Sequence, residues 1–329
     1  MAIKDKDFSI VVVGQLTLDD IVPFDSAVQF DCPGGAALYA AGGAYLWRRD
    51  HIGLVTRKGC DFDLSVVQRA AADLIDMRGV IAIDTPNIHI WNMFDRKGHR
   101  YFITQRWGGK DDTMAPIPED IPCEYYGGTK SFLIPAYPIK WQAEVIRSMP
   151  DDAVVLVDPH LDGIYPENRE LWDELLKKIN IFLPSEDELI RFFGIEKQED
   201  ISSYIPYLRE IASEGPEVVC VKIGPRGVLA YDKRCDKCWQ VPAYNSKIVD
   251  VTGCGDAFCG GFLSSYVQDS DVYRAALCGS VSSSFNIEQL GSMGNFAVNV
   301  EDVQLRYKEF EAMNPSSHCE VECHRKPLA

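Results

Sequence analysis

Short apolar runs alternate with helical patterns along most of the chain. The apolar runs occupy residues 9–13, 153–157, 179–183 and 218–222. Runs of this kind are typical of strands covered on both faces of a parallel sheet. Residues 166–178 and 186–193 carry apolar side chains at three- and four-residue steps, which predicts helices between strands. This repetition predicts an α/β fold, a doubly wound sandwich around a central, mostly parallel sheet.

A second pattern interrupts this rhythm in two places. Residues of about 19–32 and 86–107 alternate apolar and polar side chains, as strands with one solvated face do. In the second stretch, residues 87–94 and 99–104 flank the turn sequence Asp95-Arg-Lys-Gly98. Because two alternating runs joined by a polar, glycine-containing turn are typical of a β-hairpin, we expect one here.

Composition and charge narrow the class of protein. With 329 residues and 46% hydrophobic content, the chain can build one large α/β domain or two small ones. The 33 basic and 49 acidic residues give a net charge of −16, which argues against nucleic acid or an anionic membrane as a partner. No apolar run approaches the ~18 residues of a membrane span, and the first residues lack the apolar region of a signal peptide. Eleven scattered cysteines favour reduced thiols, so we expect a cytoplasmic protein.

The sequence Asp250-Val-Thr-Gly-Cys-Gly-Asp256 is the strongest chemical signal in the chain. An apolar segment that reads as a helix follows at once, and a helix start offers unpaired N–H groups that bind anions. Gly253 and Gly255 let the backbone on both sides of Cys254 approach a phosphate closely. Asp256 would then lie beside that phosphate, where phosphoryl transfer needs a general base. A glycine-rich turn with an acidic helix start is the simpler alternative.

The motif resembles the D-x-T-G-x-G-D signature of the ribokinase-like (PfkB) carbohydrate and nucleoside kinases. Further segments resemble that family in the same order, over roughly residues 8–308: Gly14–Asp19, Pro33–Gly35, Val55–Asp61, Phe182–Glu188 and Lys222–Gly227. The resemblance implies a ribokinase-like fold, with one kinase domain over residues 1–313. It also implies a small β-sheet lid from about 17–33 and 86–107. Residues 314–329 are polar, which predicts a C-terminal tail.

In the acceptor pocket, the resemblance implies that Asp19 accepts hydrogen bonds from substrate hydroxyls and that Gly34 and Gly35 allow close approach. Each could instead serve only a turn. Tyr39 stands where the family usually has an asparagine, and a phenol can stack on a ring or simply belong to the core. Arg106, at the return of the lid, is either a substrate or phosphate contact or a surface arginine.

On the nucleotide side, the resemblance implies that Glu188 orders water bound to Mg²⁺, although Ser185 replaces the asparagine of the family motif. Lys222 ends a buried strand and should meet an anion, either nucleotide phosphate or a structural carboxylate. Gly224 and Gly227 form a turn suited to nucleotide approach. Asp250 and Thr252 match positions that help enclose a monovalent cation in several members of the family.

The resemblance therefore implies ATP-dependent phosphorylation of an alcohol group of a small sugar or polyol, with Asp256 as base and a Gly253–Asp256 anion hole. ATP and Mg²⁺ would be required, with K⁺ as an optional third ligand. A nucleoside kinase of the same fold is one alternative, and a non-catalytic pseudokinase that acts as a binding protein is another. A homodimer through the lid is a further expectation.

The cysteines raise two separate questions. Cys254 lies at the expected helix N-terminus, where the dipole lowers a thiol pKa and raises its reactivity, unless the side chain is simply packed. Cys235-Asp-Lys-Cys238 has the spacing of a zinc knuckle. His318-Cys319 and Cys323-His324 could complete such a site if the tail reached it, whereas exposed thiols are the simpler interpretation.

Overall fold

The computed structural model describes residues 9–49, 52–72, 74–96, 100–109 and 113–322. The strands are β1 (Ile10–Val13), β2 (Thr17–Val22), β3 (Gln29–Gly34), β4 (Ile52–Lys58), β5 (Ile75–Ala82), β6 (Ile88–Phe94), β7 (Arg100–Trp107), β8 (Ser131–Ile134), β9 (Val154–Val157), β10 (Ile181–Phe182), β11 (Val218–Lys222), β12 (Val228–Asp232), β13 (Lys237–Val241) and β14 (Glu320–Val321). The helices are α1 (Ala36–Tyr45), α2 (Leu64–Ala70), α3 (Cys123–Gly128), α4 (Ile139–Ser148), α5 (Arg169–Leu175), α6 (Glu186–Phe193), α7 (Ile205–Glu214), α8 (Cys254–Asp269), α9 (Val272–Ile287), α10 (Val300–Met313) and α11 (Ser316–Cys319).

The main sheet contains ten strands in the order β14-β13-β12-β11-β10-β9-β8-β1-β4-β5. From β5 to β11 every pairing is parallel, and β12, β13 and β14 add an antiparallel edge. The predicted strands of the apolar runs are β1, β9, β10 and β11. The doubly wound α/β sandwich predicted from the sequence is therefore confirmed.

Two hydrophobic layers cover the two faces of this sheet. Side chains alternate along each strand, so Ile10 and Val12 of β1 join one layer while Val11 and Val13 join the other. The first layer is built largely from α1, α8 and α9, and the second from α4, α5 and α7. Burial on both faces explains why these strands are uniformly apolar.

A separate four-stranded sheet, in the order β3-β2-β6-β7, corresponds to the two alternating stretches of the sequence, and we call it the lid sheet. Strands β6 and β7 pair antiparallel, as the predicted hairpin requires. Part of its turn, residues 97–99, lies outside the described residues. The lid sheet follows β1 directly and so starts at the carboxyl edge of the main sheet.

The C-terminal segment departs from the expected free tail over part of its length. Helix α11 buries Cys319, and β14 pairs with β13 through Cys238 and Val321. Residues 320–321 therefore extend the main sheet as β14, while residues 323–329 lie outside the described part. Among the described helices, none combines the length and the apolar character that crossing a bilayer requires.

Candidate active site

The predicted chemical residues gather where the parallel strands end. Strand β1 lies between β8 and β4, so the chain order reverses there, and open α/β sheets bind ligands at such a point beyond the carboxyl ends of their strands. Asp158 directly follows β9, Ser185 follows β10, and Lys222 is the last residue of β11. The fold thus brings three separate sequence segments to one edge of the sheet.

Helix α8 begins beside this edge. Gly253 is its N-cap and adopts a left-handed conformation with φ 70°. A Cβ at this position would lie 2.0 Å from the ring of Tyr39, so only glycine fits. Asp250 is buried and holds the preceding loop, because its two oxygens accept hydrogen bonds from the N–H groups of Thr252 (2.8 Å) and Gly291 (3.1 Å). The first N–H groups of α8 therefore face the site from a rigid turn.

Asp256 lies in the first turn of α8. Burial, reinforced by the negative charge of Asp158, raises the pKa of Asp256 to about 8, while Lys222 and Arg100 oppose the shift. Burial likewise raises the pKa of Glu188 to about 7. Acidic groups with raised pKa values beside a helix N-terminus are typical of sites that hold cations and exchange protons.

Lys222 meets a carboxylate. Its Nζ forms an ion pair with Asp158 and lies 3.8 Å from Sγ of Cys259. Burial disfavours the charged ammonium, but the charge of Asp158 outweighs burial, so the pKa of Lys222 is raised. Nζ also lies 3.5 Å from the position that a Cβ on Gly255 would occupy, so the cation adjoins the N-terminus of α8. The sequence predicted that Lys222 meets either a nucleotide phosphate or a structural carboxylate. The structure shows it paired with a carboxylate, that of Asp158.

Ser185 and Glu188 form a reciprocal capping box at the start of α6. The N–H of Ser185 donates to a Glu188 carboxylate oxygen at 2.6 Å, and the N–H of Glu188 donates to Ser185 Oγ at 3.3 Å. The serine that replaces the family asparagine is therefore a helix cap. This arrangement fixes the Glu188 carboxylate near Asp158 and Lys222, both of which act on its pKa.

The predicted acceptor residues surround a buried carboxylate on the lid sheet. Asp19 Oδ1 accepts a hydrogen bond from Thr17 Oγ1 at 2.7 Å, and burial raises the pKa of Asp19 to about 6. A Cβ at Gly34 would lie 2.2 Å from Asp19 Oδ2, and Gly35 takes a left-handed φ of 101°. Gly34 is thus required because Asp19 approaches its backbone closely, and Gly35 is required because of its left-handed conformation.

Tyr39 lies between the acceptor pocket and helix α8. Its ring packs on Gly253, and its hydroxyl is buried without a hydrogen-bond partner. Burial, with the nearby charges of Asp19 and Asp250, raises the pKa of this hydroxyl. A buried hydroxyl without a partner is costly, so a bound ligand that paired with it would gain affinity.

The two lid arginines have different surroundings. The Arg106 guanidinium pairs with Asp61 and donates to the Asn87 carbonyl at 2.9 Å, so it ties the lid to the loop after β4. Arg100 donates to Asn92 Oδ1 at 3.0 Å, and its charge lowers the pKa values of both Asp19 and Asp256. Arg100 is therefore a cation that acts on both halves of the site. Sequence reasoning missed it, because the hairpin pattern that contains it carries no chemical signal, and it missed Asp158, which lies in no predicted motif.

A cleft of about 570 Å³ opens on the other side of the α8 N-terminus. This volume suits a nucleotide-sized ligand. The residues that line it include Gly224, Gly227, Tyr244, Ile248, Cys254, Gly255, Phe258 and Ile287. Gly224 and Gly227 have left-handed φ values of 55° and 89°, and a Cβ at Gly227 would lie 2.1 Å from the Val241 carbonyl oxygen. The predicted glycine turn therefore forms one wall of this cleft.

The structure distinguishes between the alternatives for the cysteines. Burial raises the pKa of Cys254 to about 12, opposite to the decrease expected at a helix N-terminus. The thiol lies 3.4 Å from Asn286 Nδ2 and is packed. The zinc-knuckle interpretation is not supported among the described residues, because no cysteine there belongs to a group of three His, Cys, Asp or Glu side chains close enough to share a metal ion. Cys323 and His324 lie outside the described residues.

Comparison with known proteins agrees with this geometry. Residues 52–297 match the pfkB family carbohydrate kinases, and the chain belongs to this family. It is 30% identical to a cytidine kinase of Thermococcus kodakarensis over 78% of this chain and 88% of that protein.

Solved structures share the fold. The nucleoside kinase of Methanocaldococcus jannaschii aligns with a TM-score of 0.72 and 22% identity, over 92% of this chain and 99% of that one. A putative ribokinase II from E. coli in complex with ATP and Mg²⁺ aligns with a TM-score of 0.73 and 19% identity, over the same shares of both chains.

Proposed function

We propose that this member of the PfkB family transfers the γ-phosphoryl group of ATP to an alcohol group of a small sugar or polyol, with Asp256 as general base. The observation that carries the proposal is the place of Asp256. It lies on the first turn of α8, next to the nucleotide-sized cleft at Gly255, and its helix is joined to the Asp19 pocket through the Tyr39–Gly253 contact.

Asp256 would take the hydroxyl proton as the oxygen attacks phosphorus. A base is most effective when its pKa lies near the working pH, and a value of about 8 meets this condition. The positive charges of Lys222 and Arg100 limit this rise in the pKa of Asp256. The N–H groups of Gly253, Cys254, Gly255 and Asp256 would stabilise the charge that develops on the transferred group. The Cys254 N–H has only a long contact, 3.4 Å, with the Val251 carbonyl oxygen.

The residues at this edge suit a divalent cation. Asp158 and Glu188 place two carboxylates near Lys222 and Asp256, and hard oxygen ligands are those that Mg²⁺ prefers. Mg²⁺ would be held by Glu188 through water and by Asp158, and it would supply positive charge to the phosphate oxygens. A structural neighbour solved in complex with ATP and Mg²⁺ supports Mg-ATP as the ligand in general.

A monovalent cation such as K⁺ is the third ligand that we propose, near Asp250 and Thr252. The supporting observation is Thr252 Oγ1, which is buried and makes no hydrogen bond. If this assignment is correct, replacing K⁺ by a bulky organic cation lowers turnover without changing the fold.

A nucleoside is the second candidate acceptor. The cytidine kinase relative favours it, since it is similar over most of both chains. The aromatic side chain of Tyr39, where the family usually has asparagine, could also contact a base.

ADP release should be measured with Mg-ATP and a panel of sugars, polyols and nucleosides, including ribose and cytidine. Turnover with sugars or polyols alone supports the first proposal, and turnover with nucleosides alone supports the second. If no acceptor raises ADP release above that of Asp256→Asn, the protein is a non-catalytic member of the family.

We also propose a homodimer formed through the lid sheet, in the cytoplasm. The observation that supports it is that three strands of the lid expose large apolar side chains, namely Phe30, Trp91, Tyr101, Phe102, Ile103 and Trp107. Sedimentation of the wild type against Phe30→Ser and Trp107→Ser tests it, because loss of these contacts should yield a monomer. A monomeric wild type would contradict the proposal.

A further inference from the structure

The lid sheet carries a cluster of three ligand-type side chains that the phosphoryl-transfer chemistry does not use. Asp20 lies on β2, Asp31 on β3 and His89 on β6. Successive residues of a strand point to opposite faces, so Asp20 faces away from the acceptor side that Asp19 occupies. The β2–β6 register places His89 beside Leu18, on the same face as Asp20. The cluster therefore lies on the face of the lid sheet opposite to Asp19.

An irregularity in β3 brings the third residue to this cluster. Between the pairs Asp19–Cys32 and Ile21–Gln29, strand β3 contains one more residue than β2. Asp31 lies in this bulge and has a left-handed φ of 51°. Its N–H donates to Asp20 Oδ1 at 3.0 Å. Bulges often redirect a side chain to a functional position, and this one places the Asp31 carboxylate near Asp20 and His89.

The three side chains are close enough to share one ion. His89 Nε2 lies 3.0 Å from Asp20 Oδ1 and 3.9 Å from Asp31 Oδ1, and the three ligand atoms all lie within 4.8 Å of one another. Metal–ligand bonds of about 2.0–2.2 Å place neighbouring ligand atoms about 3.0–3.4 Å apart. Asp31 is 72% exposed and can complete this approach by a small side-chain movement.

His89 supplies the second observation. Its Nε2 is buried, lies 3.0 Å from Asp20 Oδ1 in an ion-pair contact and is directed at both carboxylates. Removing an imidazole nitrogen and carboxylates from water costs free energy unless a shared proton or cation pairs them. A cation bound by the nitrogen lone pair would satisfy it and both carboxylates at once.

We propose that Asp20, Asp31 and His89 form a site for a divalent transition-metal ion such as Zn²⁺, Co²⁺ or Mn²⁺. One imidazole and two carboxylates form a nitrogen–oxygen ligand set that suits these ions, whereas Mg²⁺ prefers oxygen alone. The exposed side of Asp31 leaves room for water to complete the coordination. The ion would join the edge strand β3 to β2 and β6, one residue from Asp19, and so would stabilise the lid sheet.

The test is a titration of the full, metal-stripped chain with Co²⁺ in the presence of a phosphine reductant, followed by calorimetry and visible absorption. We expect one Co²⁺ per chain whose binding is lost in His89→Gln and in Asp31→Asn. Loss of a ligand should weaken binding at least as much as loss of a supporting contact, about 10–100-fold. Asp25→Asn, which alters another exposed lid carboxylate, is the matched control and should bind as the parent does.

Competing sites are distinguishable in the same experiment. Thiolate binding adds sulfur-to-cobalt charge-transfer absorption, which a nitrogen–oxygen site lacks. Any Co²⁺ ion bound by the carboxylates near Asp158 should still bind in His89→Gln and Asp31→Asn. The number of Co²⁺ ions per chain should therefore fall by one in each variant. Hydrogen exchange in β3 should slow on Co²⁺ addition in the parent and not in Asp31→Asn.

The proposal is overturned if the parent lacks this site, or if Asp31→Asn binds Co²⁺ with the parental stoichiometry and affinity. Asp31 is exposed, so its substitution should leave the fold intact even if His89→Gln does not fold.

Discussion

The two sides of the proposed active site, which we call the nucleotide side and the acceptor side, are built in different ways. The nucleotide side combines the rigid start of α8, the end of β11 and a cleft lined mainly by residues between 222 and 287. The acceptor side joins the lid sheet to α1, and its key contacts cross from one element to another, as Gly34 does with Asp19. The cleft of the nucleotide side comes from one stretch of sequence, whereas the acceptor side depends on contacts between elements distant in sequence.

Because of this difference, we expect the nucleotide side to determine the phosphoryl-transfer chemistry and the acceptor side to determine substrate specificity. A helix N-terminus and strand ends are fixed by backbone hydrogen bonds, so they can perform the same phosphoryl chemistry for many acceptors. Lid side chains can change without altering that framework. Variants on the two sides should therefore affect different kinetic constants, and each of the following experiments tests this division.

The largest effect is expected for Asp256→Asn. Loss of a positioned general base should lower turnover by about 10²–10⁴-fold. The affinity for Mg-ATP and the unfolding temperature should change little, because the amide keeps the shape of the side chain. Steady-state kinetics and calorimetry with a non-hydrolysable ATP analogue measure both. The control is Asp187→Asn, which alters an exposed carboxylate on α6. Near-parental turnover of Asp256→Asn would show that Asp256 is not the general base.

The next effect concerns the acceptor side. Asp19→Ala removes a carboxylate that can accept substrate hydroxyl groups, and hydrogen bonds to charged groups are worth about 1.5–3 kcal/mol. We expect KM for the acceptor to rise about 10–100-fold while KM for Mg-ATP stays constant. Asp25→Ala provides an exposed lid control. An unchanged acceptor KM would show that Asp19 lies outside the pocket.

A smaller effect concerns the pH dependence. A base must be deprotonated, so activity should fall as the pH falls through the raised pKa of Asp256, about 8. The negative charge of Glu188 contributes to raising this pKa, whereas Arg100 lowers it. In Glu188→Gln the acid limb of kcat/KM should therefore move to lower pH, and in Arg100→Gln to higher pH. Profiles normalised to their maxima give the comparison, and shifts in the same direction would contradict it.

The smallest effect is expected for Cys254→Ala. Because burial raises the pKa of this thiol to about 12, small alkylating reagents should react first with the exposed Cys60, Cys123 and Cys235. Turnover of Cys254→Ala should equal that of the parent, and Mg-ATP should give no protection at this position. Mass mapping of modified peptides identifies the labelled residues. If Cys254 were labelled first, the result would support the alternative predicted from the sequence, that Cys254 is a reactive thiol.

The sequence predicted the start of α8 better than its surroundings for a physical reason. The segment from Asp250 to Asp256 is contiguous, so its residue types and spacing predict a turn followed by a helix. Asp158 carries no local signal, because only the adjacency of β9, β10 and β11 brings it to Lys222. The sequence also did not show which lid arginine acts on the site. That depends on the strand register and on the pairing of Arg106 with Asp61, which leaves Arg100 to act on Asp19 and Asp256.

The contact between α1 and α8 also limits how this enzyme can evolve. A Cβ at Gly43 would lie 2.1 Å from the Ala257 carbonyl oxygen, and one at Gly260 would lie 2.1 Å from that of Ala40. The two helices thus touch backbone to backbone, and any larger residue would push them apart. We therefore expect adaptation to a new acceptor to occur in the lid and at Tyr39, because a larger residue at Gly43 or Gly260 would separate α1, which carries Tyr39, from α8, which carries Asp256.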